Sequence, residues 1–190
     1  TIYTSKTISG LGNEAVIISG TVVGADAPTA KEANVILKAT TGKVTAEIGD
    51  TAANLVKGLT DAKGTDNLTL TVSAGTATAA DLKALDAKTS EVVTATGISL
   101  ITGNAADVKT VLKAEGITLD KITVGDAVAV VVTGKVSAAD VNTIAKATDG
   151  IVTATVAAGT ATSLLAALKD IKTEINNLTL KVTGTANAAD

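Results

Sequence analysis

Apolar residues follow two alternating rhythms along this chain. In Leu68-Thr69-Leu70-Thr71-Val72, Val152-Thr153-Ala154-Thr155-Val156 and Leu178-Thr179-Leu180-Lys181-Val182 they occupy every second position. That spacing separates the two faces of a β-strand. Between such stretches the spacing changes to three or four, as in Leu55/Leu59, Leu82/Leu85, Val108/Leu112, Val141/Ile144 and Leu164/Leu168. It predicts helices that each bury one stripe. Helices on both faces of a sheet would require strands that read as apolar runs, so the alternation predicts helices on one face and an exposed polar face on the other. Ala127 to Val132 is an unbroken apolar run and predicts a fully buried strand.

The helical stretches open on one recurring phrase. Thr78-Ala79-Ala80-Asp81-Leu82 returns as Ser137-Ala138-Ala139-Asp140-Val141, with relatives at Thr51, Asn104 and Thr160 and at the terminal Asn187-Ala188-Ala189-Asp190. A hydroxyl or amide residue three positions before an acid is a helix N-cap signature, and the acid also favours the positive end of the helix dipole. Thr51, Thr78, Asp81, Asn104, Asp107, Ser137, Asp140 and Thr160 are therefore expected as structural caps. Successive starts from Thr29 lie 22, 27, 26, 33, 23 and 27 residues apart, a solenoid-like period. The longest interval predicts an insertion near residues 116–126.

Two kinds of unit alternate. A first-type helix begins near Thr29, Thr78, Ser137 and Asn187, and a second-type helix near Thr51, Asn104 and Thr160. After the first-type helix the phrases at Thr40-Thr41-Gly42-Lys43-Val44, Thr89-Ser90-Glu91-Val92-Val93 and Thr148-Asp149-Gly150-Ile151-Val152 align. Single strands joined by helices run parallel through right-handed crossovers. The expected fold is thus α/β, a parallel β/α solenoid of roughly 25-residue units, with about seven strands and six complete helices. Residues 1–14 are expected as a strand, arm or cap, and residues 15–190 as the array, with an open C-terminal end. A first residue other than Met fits a processed chain or a piece of a longer one.

Composition narrows the chemistry. The chain lacks Cys, Met, His, Arg, Gln, Trp and Phe, and its one aromatic is Tyr3. Most nucleophilic, acid–base and anion-binding chemistry uses residues from that missing set, so the expectation is a protein that is not an enzyme, with no catalytic residues, cofactor or metal. A net charge of −3 with interspersed Lys argues against a nucleic-acid surface, and no apolar run is long enough to span a bilayer. The absence of nitrogen-rich and sulfur-containing residues fits a protein exported in bulk, and equally fits the copying of one low-diversity unit. Asn67 and Asn177 begin Asn-Leu-Thr acceptor triplets within strand phrases.

The polar strand face offers the remaining candidate surface. Thr69/Thr71, Thr94/Thr96 and Thr153/Thr155 form Thr-x-Thr pairs, which in a parallel sheet would stand in rows about 4.8 Å apart. Such grids resemble ice-binding surfaces. Thr is also a good strand former on a wet face, and Glu47 and Lys181 interrupt the rows.

Residues 78–89, Thr-Ala-Ala-Asp-Leu-Lys-Ala-Leu-Asp-Ala-Lys-Thr, followed by Val92-Val93-Thr94-Ala95-Thr96, resemble repeats of very large secreted or cell-surface proteins of cyanobacteria and other marine bacteria. The resemblance runs from about Ala15 onward. It implies an extracellular or cell-surface location and a role in adhesion, motility or matrix; it carries no catalytic residues. The glycine-rich calcium repeats common in such proteins are absent here. The leading expectation is a non-enzymatic structural repeat protein whose partners are its own copies or neighbouring repeats. A filament subunit joined end to end by strand pairing and an ice- or glycan-binding solenoid are the alternatives.

Overall fold

The computed structural model describes residues 11–19, 28–114, 121–169, 171 and 176–184. The expected strand at Thr1 to Gly10, the helix start at Asn187 and residues 116–120 of the expected insertion lie outside the described residues. In chain order the first elements are β1 (Val16–Ile17), α1 (Ala30–Ala39), β2 (Val44–Asp50), α2 (Ala52–Gly58), β3 (Asn67–Val72), β4 (Gly75–Thr78), α3 (Ala79–Asp86) and β5 (Val93–Ala95). There follow β6 (Ile98–Gly103), α4 (Ala105–Val111), β7 (Ile122–Val124), β8 (Ala129–Val136), α5 (Ala138–Lys146), β9 (Val152–Val156), α6 (Ala161–Ala167) and β10 (Asn177–Thr179).

The fold is α/β, with two five-stranded parallel sheets ordered β1-β2-β3-β5-β7 and β10-β9-β8-β6-β4. The chain divides into two compact units, each holding one sheet. Neighbouring strands are one repeat apart in sequence, as in Ala46 beside Leu68, Thr71 beside Thr94, and Ala154 beside Leu178.

The rhythm of the sequence suggested one sheet of about seven strands. Ten strands in two sheets are present among the described residues, because three strand phrases are broken and serve both sheets. Ser73-Ala74 separates β3 from β4, and Gly75 takes φ +124°, a conformation open to glycine alone at little cost. Thr96-Gly97 breaks β5 from β6, and residues 125–128 break β7 from β8. Ile122–Val124, within the expected insertion, is itself a strand beside β5.

Alternation holds in β2, β3 and β9, while β6, with Ile98 and Ile101 buried three positions apart, departs from it. Leu68, Leu70 and Val72 are buried while Thr69 is exposed, and Val152, Ala154 and Val156 are buried on β9. The run Ala127 to Val132 is not fully buried, contrary to expectation. Val130 and Val132 face the core, Ala129 and Val131 are half-exposed, and the register shifts between Val131 and Lys135. β8 therefore buries one face, as its neighbour β9 does, in spite of its apolar composition. The core is aliphatic: Leu55, Leu59, Leu82, Leu85, Ile101 and Ile144 are fully buried, each contributing about 2 kcal/mol by removal from water.

Candidate functional site

The six candidate threonines do not form one grid. Thr69, Thr71 and Thr94 belong to the first sheet, Thr96 follows β5, and Thr153 and Thr155 belong to the second. Their side chains are exposed or half-exposed. Thr71 stands beside Thr94, but Thr69 pairs with Glu47, Thr153 lies between Val131 and Asn177, and Thr155 lies between Lys135 and Thr179. Rows of threonine are thus two residues deep where they exist. The polar face has no extended regular lattice of hydroxyls among the described residues.

The cap residues satisfy backbone donors at the helix starts. Thr51 Oγ1 accepts from Asn54 N, Thr78 Oγ1 from Asp81 N at 3.0 Å, Asn104 Oδ1 from Asp107 N at 2.9 Å, Ser137 Oγ from Asp140 N at 3.1 Å and Thr160 Oγ1 from Ser163 N at 3.2 Å. Thr29 completes a reciprocal capping box with Glu32. Each interaction occupies a donor that the helix leaves unpaired.

Two of the capping acids have a second partner. Lys83 of α3 reaches Asp107 of α4 at 2.7 Å, and Lys109 of α4 reaches Asp140 of α5. In both donors the lysine stands two positions after its own helix's acid, so successive helices form an ion ladder. The hydrogen bond from Lys83, then that from Asn104, holds the Asp107 carboxyl below its ordinary range; Lys109 and then Ser137 do the same for Asp140. A carboxyl with a depressed folded pKa contributes stability above its unfolded pKa and loses it as pH falls through the folded value. Stability from the ladder is therefore expected to be constant from pH 7 to 5 and to decline below about pH 4. The double variant Lys83→Met/Lys109→Met is expected to cost under about 1 kcal/mol per pair at neutral pH, because water still reaches both half-buried pairs and screens them. It should also flatten part of the acid decline. Urea unfolding across this pH range checks it, and an equally steep decline in the double variant would exclude the ladder as a source.

The corners between helix and strand carry a second set of contacts that sequence reasoning missed. Thr40, Thr89 and Thr148 are buried polar residues at equivalent positions. Thr89 Oγ1 approaches the carbonyls of Leu68 at 2.7 Å and Asp66 at 3.2 Å, and accepts from Leu68 N and Glu91 N, both at 3.0 Å. Thr40 Oγ1 donates to Glu14 O at 2.6 Å, and Thr148 Oγ1 to Val128 O at 2.6 Å. Each thus clasps the backbone of the preceding turn. Of the intervening corners, Lys121 Nζ donates to Thr89 O at 2.6 Å, and two others supply an acceptor. Asp66 Oδ1 accepts from Val44 N at 2.9 Å, and Asn176 Oδ1 accepts from Val152 N at 2.8 Å. Close approach at the threonine corners also explains Gly42 and Gly150. A Cβ there would strike the carbonyl oxygens of Glu14 and Val128 respectively. The signal in the sequence was the thrice-repeated Thr, which looked no different from a surface threonine.

The same strand phrase has two environments. In Asn67-Leu68-Thr69-Leu70-Thr71-Val72 the three apolar residues are 0, 0 and 4% exposed, with β5 alongside. In Asn177-Leu178-Thr179-Leu180-Lys181-Val182, at the edge of the second sheet, Leu180 is 46% and Val182 50% exposed. With Leu165, Leu168 and Ile171 they line an open apolar groove of about 370 Å³. Leu165 is 57% exposed. This groove is the strongest candidate for a functional surface. Among the described residues no cluster of acids could hold a metal ion, and no helix is long and apolar enough to cross a membrane. No family model, curated protein or solved structure matches the chain.

Proposed function

We propose that this chain is a non-enzymatic structural repeat protein, a segment of a β/α solenoid that works as part of an extended array at the cell surface or in extracellular matrix. The observation that carries the reading is the repeated joint. Every described first-type corner clasps the turn before it through a buried threonine hydroxyl, and Asp66 and Asn176 accept from the preceding strand. Polar groups that another protein would present to a substrate are here engaged in holding turns together. The helix caps and the ion ladder serve the same end. The extracellular placement is supported by the resemblance of residues 78–96 to surface-protein repeats and by a composition without Cys, His or Arg.

A filament subunit is the second reading. It is favoured by Ile17, which lies on the edge strand β1 of the first sheet and is 76% exposed. An edge strand with an exposed apolar side chain is a pairing template, and head-to-tail pairing yields open filaments. Electron microscopy of native material, combined with the chain mass on a denaturing gel, tests both. A chain far longer than 190 residues, seen as extended rods, is expected for the array. Ordered fibres of short chains would replace it with the subunit reading, and isolated compact particles would overturn both. The threonine surface is not favoured as an ice- or glycan-binding site, since its candidate residues are divided between two sheets.

A further inference from the structure

We infer that the groove between α6 and β10 is a docking surface for one particular occupant, a first-type repeat unit consisting of a capped helix, a corner threonine and a strand. The inference rests on the array reading and names the partner of its open joint. β3 and β10 share one phrase and one register, with Ala46 beside Leu68 and Ala154 beside Leu178. β3 is covered by the unit that follows it. That unit places Thr89 Oγ1 against the N–H and C=O of Leu68, and Ser90 N donates to Asp66 O at 2.7 Å. In a parallel strand the N–H and C=O of one residue point to the same side. Matching registers therefore aim the Leu178 N–H and C=O away from β9, toward the position a corner threonine would occupy.

The apolar surface agrees. Leu180 and Val182 correspond to Leu70 and Val72, which the folded chain buries completely or nearly so. Leu165 adds an exposed apolar side chain on the neighbouring helix, and the groove between them extends to Leu168 and Ile171. A second copy docking by its β1 edge would bring a strand with no corner threonine before it among the described residues. It would leave the Leu178 backbone groups without their hydroxyl partner. The first-type unit supplies the hydroxyl, the strand and the leucine stripe in the order in which β3 receives them.

The test extends the full chain. Residues Leu82–Thr96 are fused after Asp190, in the register set by matching Asn187–Asp190 to Thr78–Asp81. Amide exchange is then read at Leu178–Val182, with Val44–Ile48 as an internal reference for folding. Exchange at Leu178–Val182 is expected to slow at least tenfold in the extended chain. The gain should vanish when the added corner threonine, the copy of Thr89, is replaced by valine. A scrambled extension of the same composition should give no slowing. Unchanged exchange in the extended chain would overturn the inference, as would equal slowing with the scrambled extension. Concentration-dependent protection of the unextended chain would also overturn it, in favour of a second copy. Failure of the array reading is separately visible. Native material seen as isolated compact particles removes the array while the exchange result still decides what the groove accepts.

Discussion

Leu70→Ala is expected to destabilise the protein by about 3 kcal/mol, and Leu180→Ala by under about 1 kcal/mol. The two leucines occupy the same place in one repeated phrase, so intrinsic propensity and local sequence are nearly matched. Burial differs. Leu70 is fully buried, whereas Leu180 is 46% exposed on the groove. Removing Leu70 forfeits the transfer free energy of its buried methyl groups and leaves a cavity in an aliphatic core whose neighbours relax only partly. Removing Leu180 takes away side-chain atoms that already meet water. Guanidinium unfolding followed by far-ultraviolet circular dichroism measures both, since a chain with no Trp and a single Tyr has little intrinsic fluorescence. Equal losses would mean that Leu180 is covered in solution, and would remove the basis for an open groove.

Thr89→Val is expected to cost a similar amount, about 3 kcal/mol, although valine is nearly isosteric and the site is wholly buried. Its hydroxyl meets two carbonyls and two backbone N–H groups. Valine would leave Leu68 N facing a methyl group with no water to replace the lost partner, and Glu91 N without its hydroxyl; an unsatisfied buried donor costs about 1–3 kcal/mol. Thr69→Val, on the exposed face of the same sheet, is expected within about 0.5 kcal/mol of the parent. Thr89→Ser separates the two contributions of the side chain. It keeps the hydroxyl and should cost about 1 kcal/mol for the lost methyl. A serine variant as unstable as the valine one would assign the effect to packing and exclude the hydroxyl.

Periodicity carried the fold a long way. Strand alternation identified Leu68, Leu70, Val72, Val152, Ala154 and Val156 as inward-facing, because a half-buried parallel strand tolerates polarity only at every second position. The helix starts were legible because an N-cap is a local device with a local signature. The division into two sheets was not legible. It depends on backbone breaks at Ser73-Ala74 and Thr96-Gly97, and Ser, Ala and Thr there resemble the surrounding strand residues. The buried corners were hidden for a related reason. Thr89 and Thr94 are the same residue type five positions apart, one fully buried at a corner and one exposed on β5. Only the approach of Leu68 from the previous turn distinguishes them. The candidate groove was the hardest to read, since its strand phrase is nearly identical to the buried one. Its environment is set by what stands next to it.

The two corner polarities have a consequence for how such a chain avoids mistakes. Threonine corners donate to the carbonyls behind them, and the Asp66 and Asn176 corners accept from the N–H groups behind them. A strand displaced by one unit during folding would set the Asp66 carboxylate, which only accepts, against carbonyls that a threonine hydroxyl otherwise meets. Displacement by two units would return a threonine to the threonine corners. Proofreading against single slips is thus built into those corners, and the smallest segment that can be duplicated or deleted without a mismatch there is a pair of units. Lengthening by recombination would then proceed in even steps.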